Sequence, residues 1–109
     1  MIIIAIQTGG PVSYVVADTT VEFPHSKTAQ FRVSNQRSDN VTVTFKGQRK
    51  CSQGFLDDRV ETAVANSISE FASFRGNQFI SGEGRVVVTL STATDVGVAA
   101  VHVRDSQGR

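Results

Sequence analysis

Apolar and polar residues alternate along most of this chain, the pattern of strands buried on one face. Ile2, Ile4 and Ile6 fall on one side of a first extended run, Ile3 and Ala5 on the other. Both sides are apolar, so this run needs cover on both faces or a partner strand. Left open, it is an aggregation-prone edge. Gly9-Gly10-Pro11 reads as a turn, and 12–17 as a second β-prone run. Thr20 to Phe23 turns Val21 and Phe23 inward, ahead of Pro24, which cannot donate to a ladder. Ala29, Phe31 and Val33 point one way, Gln30 and Arg32 the other. After the polar stretch 35–40, Val41, Val43 and Phe45 alternate with Thr42, Thr44 and Lys46. Strands over 28–34 and 40–46 are expected to pair as a hairpin.

The period changes once. Between Asp58 and Arg75, the residues Val60, Ala63, Val64, Ile68, Phe71 and Phe74 fall within one arc at helical spacing. Asp58 with Glu61 three residues later has the form of a capping box, and Gly76 stands where a glycine ends a helix. One amphipathic helix over about 58–75 is predicted, although Thr62, Asn66 and the serines are mediocre helix formers. Residues 78–80, a turn at 81–84 and a strand over 85–91 follow. A turn at 92–97 and a strand over 98–104 complete a second expected hairpin, with Val86, Val88 and Leu90 lining one face of the first arm and Val101 and Val103 one face of the second, opposite His102 and Arg104. The expected fold is mainly β: an antiparallel β-sandwich or jelly-roll-like barrel, with the helix over one end or face. No repeat or linker divides the chain, so residues 1–109 read as a single β-rich domain.

Composition narrows the picture. A chain of 109 residues buries roughly two-thirds of its unfolded surface, enough for one core without metals or disulfides. Net charge is +1, which removes any general attraction to nucleic acid or an anionic membrane. Residues 1–56 hold six basic and three acidic side chains, and 57–109 hold five and seven. That mild asymmetry would let copies pair end to end, or it is chance. A single Cys51 forms no internal disulfide and fits a reducing compartment. Arg49 and Lys50 beside it offer the alternative of an activated thiol. No run reaches the ~18 apolar residues of a membrane span. Met1 to Ile6 has no basic flank and is cut short by Gln7 to Pro11, so no leader is expected either.

Candidate chemistry is sparse. His25 follows a proline in a turn, and His102 sits on the polar side of a strand; neither has a neighbouring nucleophile or carboxylate in sequence. Asp57-Asp58 reads as helix capping rather than a hydrolytic or calcium pair. Gly9-Gly10 and Gly82-Glu83-Gly84 are turns and match no phosphate-binding loop. Asn40-Val41-Thr42 has the form of a glycosylation sequon, read as chance without a leader. Phe31 and Phe45 share a face with Val33 and Val43, so they belong to a core and not to a base-stacking platform. Seven Phe, one Tyr and no Trp count against a stacking face for sugars. No catalytic residue, metal ligand or cofactor is therefore expected. Ile2, Ile3 and Ile4 are the candidate self- or shell-contact, and Lys46, Arg49 and Lys50 the candidate contact with an acidic protein surface.

Two resemblances add to this. Gly84 to Ser91, followed by Gly97 to Val103, resembles the closing hairpin of bacterial immunoglobulin-like domains. That implies an adhesion or carbohydrate-binding module at a cell surface. The whole chain, small, β-rich and Cys-poor, is similar to the decoration, staple or cement proteins of tailed-phage capsids. Those proteins bind the outer shell at symmetry axes and hold capsomers together. This second resemblance implies a non-enzymatic virion component, made in the host cytoplasm and present in many copies, as dimers or larger assemblies. Its partner would be a major capsid protein or another shell protein. Deletion of residues 1–6 is then expected to abolish shell binding and leave the domain folded.

Overall fold

The computed structural model describes residues 1–8, 11–26, 28–47, 50–51, 54–55, 58–72 and 84–102. Among these residues twelve strands form in chain order. β1 is Ile2–Ile3, β2 Ile6–Gln7, β3 Val15–Val16 and β4 Thr20–Pro24. β5 is Ala29–Asn35, β6 Val41–Phe45, β7 Lys50–Cys51 and β8 Gly54–Phe55. β9 is Arg59–Ala63, β10 Ser67–Phe71, β11 Arg85–Leu90 and β12 Val96–His102. One sheet runs β1-β4-β11-β6-β9 (sheet A). The other runs β10-β5-β12-β2, with β3 also on β12 (sheet B). β7 and β8 form a separate small ribbon.

The two sheets share one core. Val21 and Phe23 of β4, Val43 and Phe45 of β6, and Val86 and Val88 of β11 are fully buried on sheet A. Phe31 and Val33 of β5 and Val98 of β12 meet them from sheet B. The rings cross the gap. Phe23 stacks on Phe31 with centroids 5.4 Å apart, Phe31 meets Phe45 edge-on at 5.8 Å, and Phe45 meets Phe71 at 5.8 Å. Each such ring contributes roughly 2–3 kcal/mol by burial and adds a directional aromatic contact. Period-two alternation specified this face, because a slip of one residue would turn every one of these side chains to solvent.

The expected hairpins do not form. β5 lies in sheet B and β6 in sheet A, and β11 and β12 are divided in the same way. Each pair is an arch between sheets, the sandwich solution to burying apolar faces from consecutive strands. β6 pairs with β11 in one sheet and β5 with β12 in the other, so the two arches interlock. The inward parity of β12 is Val96, Val98 and Ala100, opposite Asn35, Val33 and Phe31. Val101, on the other parity, is buried as well. The sheets are also mixed rather than antiparallel, since β1 runs parallel to β4 and β2 parallel to β12.

No helix forms over 58–72, the described part of the predicted helix. Residues 59–63 and 67–71 are β9 and β10, on opposite sheets, joined at Asn66, whose φ of 55° no helix interior accepts. Strand parity turns Arg59, Glu61 and Ala63 inward, then Ser67, Ser69 and Phe71, and leaves Val60, Val64 and Ile68 exposed. The helical arc was produced by two strand periods offset across a short turn. Asp58 caps no helix; it accepts the Gly47 N–H at 2.7 Å and the Lys46 ammonium at 3.0 Å. Arg59 faces inward on an edge strand and is satisfied there. It donates to Glu61 and to the Ala72 carbonyl, both at 2.7 Å, and lies 5.4 Å from the Phe45 ring centroid. An inward charge protects such an edge from pairing with another chain. The expected turn at Gly9-Gly10, residues 73–75 of the expected helix, Gly76, the 78–83 segment and Val103 lie outside the described residues.

Candidate functional site

The N-terminal segment switches sheets. Ile2 and Ile3 pair with Val21 and Glu22 of sheet A, and Ile6 and Gln7 pair with Ala100 and Val101 of sheet B. The Ile4 N–H continues the first ladder to the Glu22 carbonyl at 2.8 Å. Alternation then sorts the isoleucines. Ile4 is part of the core, with Ile2 and Ile6 packed against it, while Ile3 is 53% exposed. The segment thus closes one side of the sandwich and, of its isoleucines in the ladder to β4, presents Ile3 outward, beside the exposed Met1.

A second segment runs beside it. The Gln7 amide clasps Ser13, donating to its carbonyl at 2.7 Å and accepting its N–H at 2.9 Å. β3 pairs with Gly97 and Val98 of β12, ahead of the Ala100 and Val101 that β2 pairs with, and the Ala17 N–H reaches the Val96 carbonyl at 2.9 Å. Val15 is 45% and Val16 83% exposed. Between the two segments lies a groove of about 410 Å³, lined by Ile2, Ile3, Ile4, Val15, Val16 and Val98 among others. β1 and β3 each pair on one side only among the described residues. Their outer backbone groups and this apolar groove together form an edge open to another strand. Sequence reasoning singled out Ile2 to Ile4 but not Val15 and Val16, although the apolar run Tyr14-Val15-Val16 carried the signal.

The basic candidates lie elsewhere. Ile3 is opposite Glu22, Glu22 is opposite Val87, and the Lys46 N–H bonds the Val87 carbonyl. Lys46 therefore stands on the same sheet as Ile3, three strand spacings or about 14 Å away. Its ammonium is paired with Asp58. The Gly47 N–H, and then Lys46, hold the Asp58 carboxyl below its ordinary range. Lys50 enters β7 opposite Phe55, and Arg49 lies outside the described residues. Near the apolar edge itself, the Met1 ammonium pairs with Asp18 and lowers its pKa.

Among the described residues, no reactive groups converge on this edge. The Thr28 hydroxyl and His102 Nδ1 are 2.7 Å apart, and Ser26 Oγ is 3.0 Å from the same hydroxyl. No carboxylate pairs with the His102 ring among the described residues; a catalytic base is ordinarily oriented by such a third group. No group of three metal-ligating side chains occurs among the described residues. What the edge offers is strand pairing and apolar burial. Comparison of the chain with protein-family models, curated proteins and solved structures finds no match, so its function is read from this geometry and from the resemblances of its sequence.

Proposed function

We propose that the protein is a non-enzymatic shell-stabilising protein of the capsid-decoration type, bound in many copies to the outer surface of a virion. The observation that carries this reading is the open edge with its groove between β1 and β3, where Ile3, Val15 and Val16 are exposed together. Exposed apolar surface beside unpaired strand backbone is the surface on which a partner strand docks. The shell component comes from the resemblance of the whole chain to phage decoration proteins. Docking extends a sheet across the subunit boundary and buries the three side chains, toward an interface of about 1,600 Å². Arg49 and Lys50 supply contacts with acidic shell residues, and Lys46 does so by exchanging Asp58 for a shell carboxylate.

Ile4 is core, so deletion of residues 1–6 would open the sandwich rather than isolate the contact. Ile3→Asp and Val15→Asp test it at exposed positions. The native protein is expected to sediment with particles far larger than 11.7 kDa and to be stripped from them by denaturant. Ile3→Asp should stay at the top of the gradient with an unchanged melting temperature. A native protein that stays at the top as monomer or dimer sinks the proposal.

A further inference from the structure

The outer face of sheet B carries a trough that shares Val15 and Val16 with the shell-binding edge and otherwise extends away from it across β12, β5 and β10. Val16, Gly97, Ser34 and Ile68 lie opposite one another in turn across four strands. The two outer members are tall and exposed, Val16 at 83% and Ile68 at 56%. The two central members, Gly97 and Ser34, are small. A Cβ on Gly97 would stand 3.3 Å from the Tyr14 Cβ, so glycine keeps the floor low beneath Tyr14. The walls are three strand spacings apart, about 14 Å. Two hollows of about 320 and 220 Å³ occupy the trough and meet at Ser34 and Gln36. The Arg32–Glu70 pair, at 3.5 Å, stands on the same strands beyond the floor.

The loop end of the trough is rigid and polar. The Gln36 N–H bonds the Asp95 carbonyl at 3.1 Å, and the Asn66 N–H bonds the Arg37 carbonyl at 3.0 Å. Arg37 is held by Asp39 at 2.8 Å and reaches the Thr94 carbonyl at 3.3 Å. Asn66 and Asp95 both hold left-handed backbone, at φ 55° and 59°. Five side chains line the hollows without a hydrogen-bond partner among the described residues: Tyr14, Ser34, Gln36, Asn66 and Asp95. They supply one aromatic ring, two amides, two hydroxyls counting the phenol, and one carboxylate. Among the described residues, no lysine or arginine lines either hollow. A phosphorylated or acidic ligand is thereby disfavoured.

We propose that this trough binds a neutral oligosaccharide. A pyranose has an apolar C–H face and a rim of hydroxyls that both donate and accept. Tyr14, Val16 and Ile68 match the first, and the amides, hydroxyls and Asp95 match the second. Both hollows are shallow, which fits weak binding of successive sugar units rather than capture of a single buried ring. The test is a ¹H–¹⁵N NMR titration of the full chain with cellobiose, lactose and N,N′-diacetylchitobiose, separately. Saturable shifts confined to residues 14–16, 34–36, 66–68 and 95–97 are expected with at least one of them. Gln36→Ala, at an exposed loop position, should weaken that binding about tenfold. Tyr14→Ala should do the same, and Tyr14→Phe should retain most of it. Ile3→Asp should leave saccharide binding intact, which separates this trough from the shell-binding edge. No saturable shift with any of the three, shifts mapping elsewhere, or Gln36→Ala binding like the parent would each overturn the proposal.

Discussion

Single residues decide how the polar loop end is held. Asn35 is 2% exposed, the one buried polar side chain among the described residues. Its amide donates to the Asp39 and Ala63 carbonyls at 3.0 Å each, and its oxygen accepts the Arg37 N–H at 3.0 Å. Three backbone groups lose their partner if it is removed. Asn35→Ala is expected to cost about 3 kcal/mol in urea unfolding, because buried groups left unpaired carry their full desolvation penalty. Asparagine at this point was legible only as part of a polar stretch. Nothing in the pattern distinguishes a solvated loop amide from one that staples β5 to β9, since both look hydrophilic. The neighbouring alternation Phe31–Val33 was unambiguous, and its parity in the structure is the one it dictates.

At the scale of elements, strand identity was readable and strand pairing was not. Periodicity reports which face of a strand is buried, and that information is local. Whether the next strand returns beside it or crosses to a second sheet depends on distant partners, and an arch and a hairpin bury the same residues. Hence β5–β6 and β11–β12 read as hairpins. The helical reading of 58–75 failed because Val60, Val64 and Ile68 coincide with a period near 3.6 while strand burial selects Ala63 and Phe71. The two readings give opposite expectations. Ile68→Ser should change stability by less than about 0.5 kcal/mol, as at an ordinary surface site. On a packed helix face it would cost several times that. Paired thermal melts of Ile68→Ser and Phe71→Ala, with a large loss only in the second, decide it. The apolar edge was half legible: Ile3 stood in an evidently strand-like run, whereas Val15 and Val16 meet it only through the pairing of β3 with β12.

For the whole molecule, three carboxylates tie the surface together. Asp18 is lowered by its bond to the Met1 ammonium, Asp39 by Arg37, and Asp58 by the Gly47 N–H and Lys46. A carboxyl whose folded pKa lies below its unfolded value near 3.9 binds fewer protons in the native state. Its stabilisation is present above that unfolded value and is lost as pH falls through the depressed folded one. The melting temperature should therefore hold steady from neutral pH down to about pH 5 and decline below about pH 4. Asp58→Asn should start lower and decline less, as a pH series of thermal melts would record. The interlocked arches carry a kinetic consequence as well. β12 is the partner of β5, β2 and β3 at once, and it comes after all of them in the chain. Sheet B therefore has no centre until residue 102 has left the ribosome, and β5 must wait through some sixty residues of synthesis with its ladder edge facing β12 unpaired. Nearly all pairing is remote in sequence, which places refolding in the millisecond-to-second range. A stopped-flow trace faster than that would mean a local nucleus that the strand order does not contain. Until β12 arrives, the nascent chain is a set of sticky edges, and the cell's chaperones are the first surfaces those edges meet.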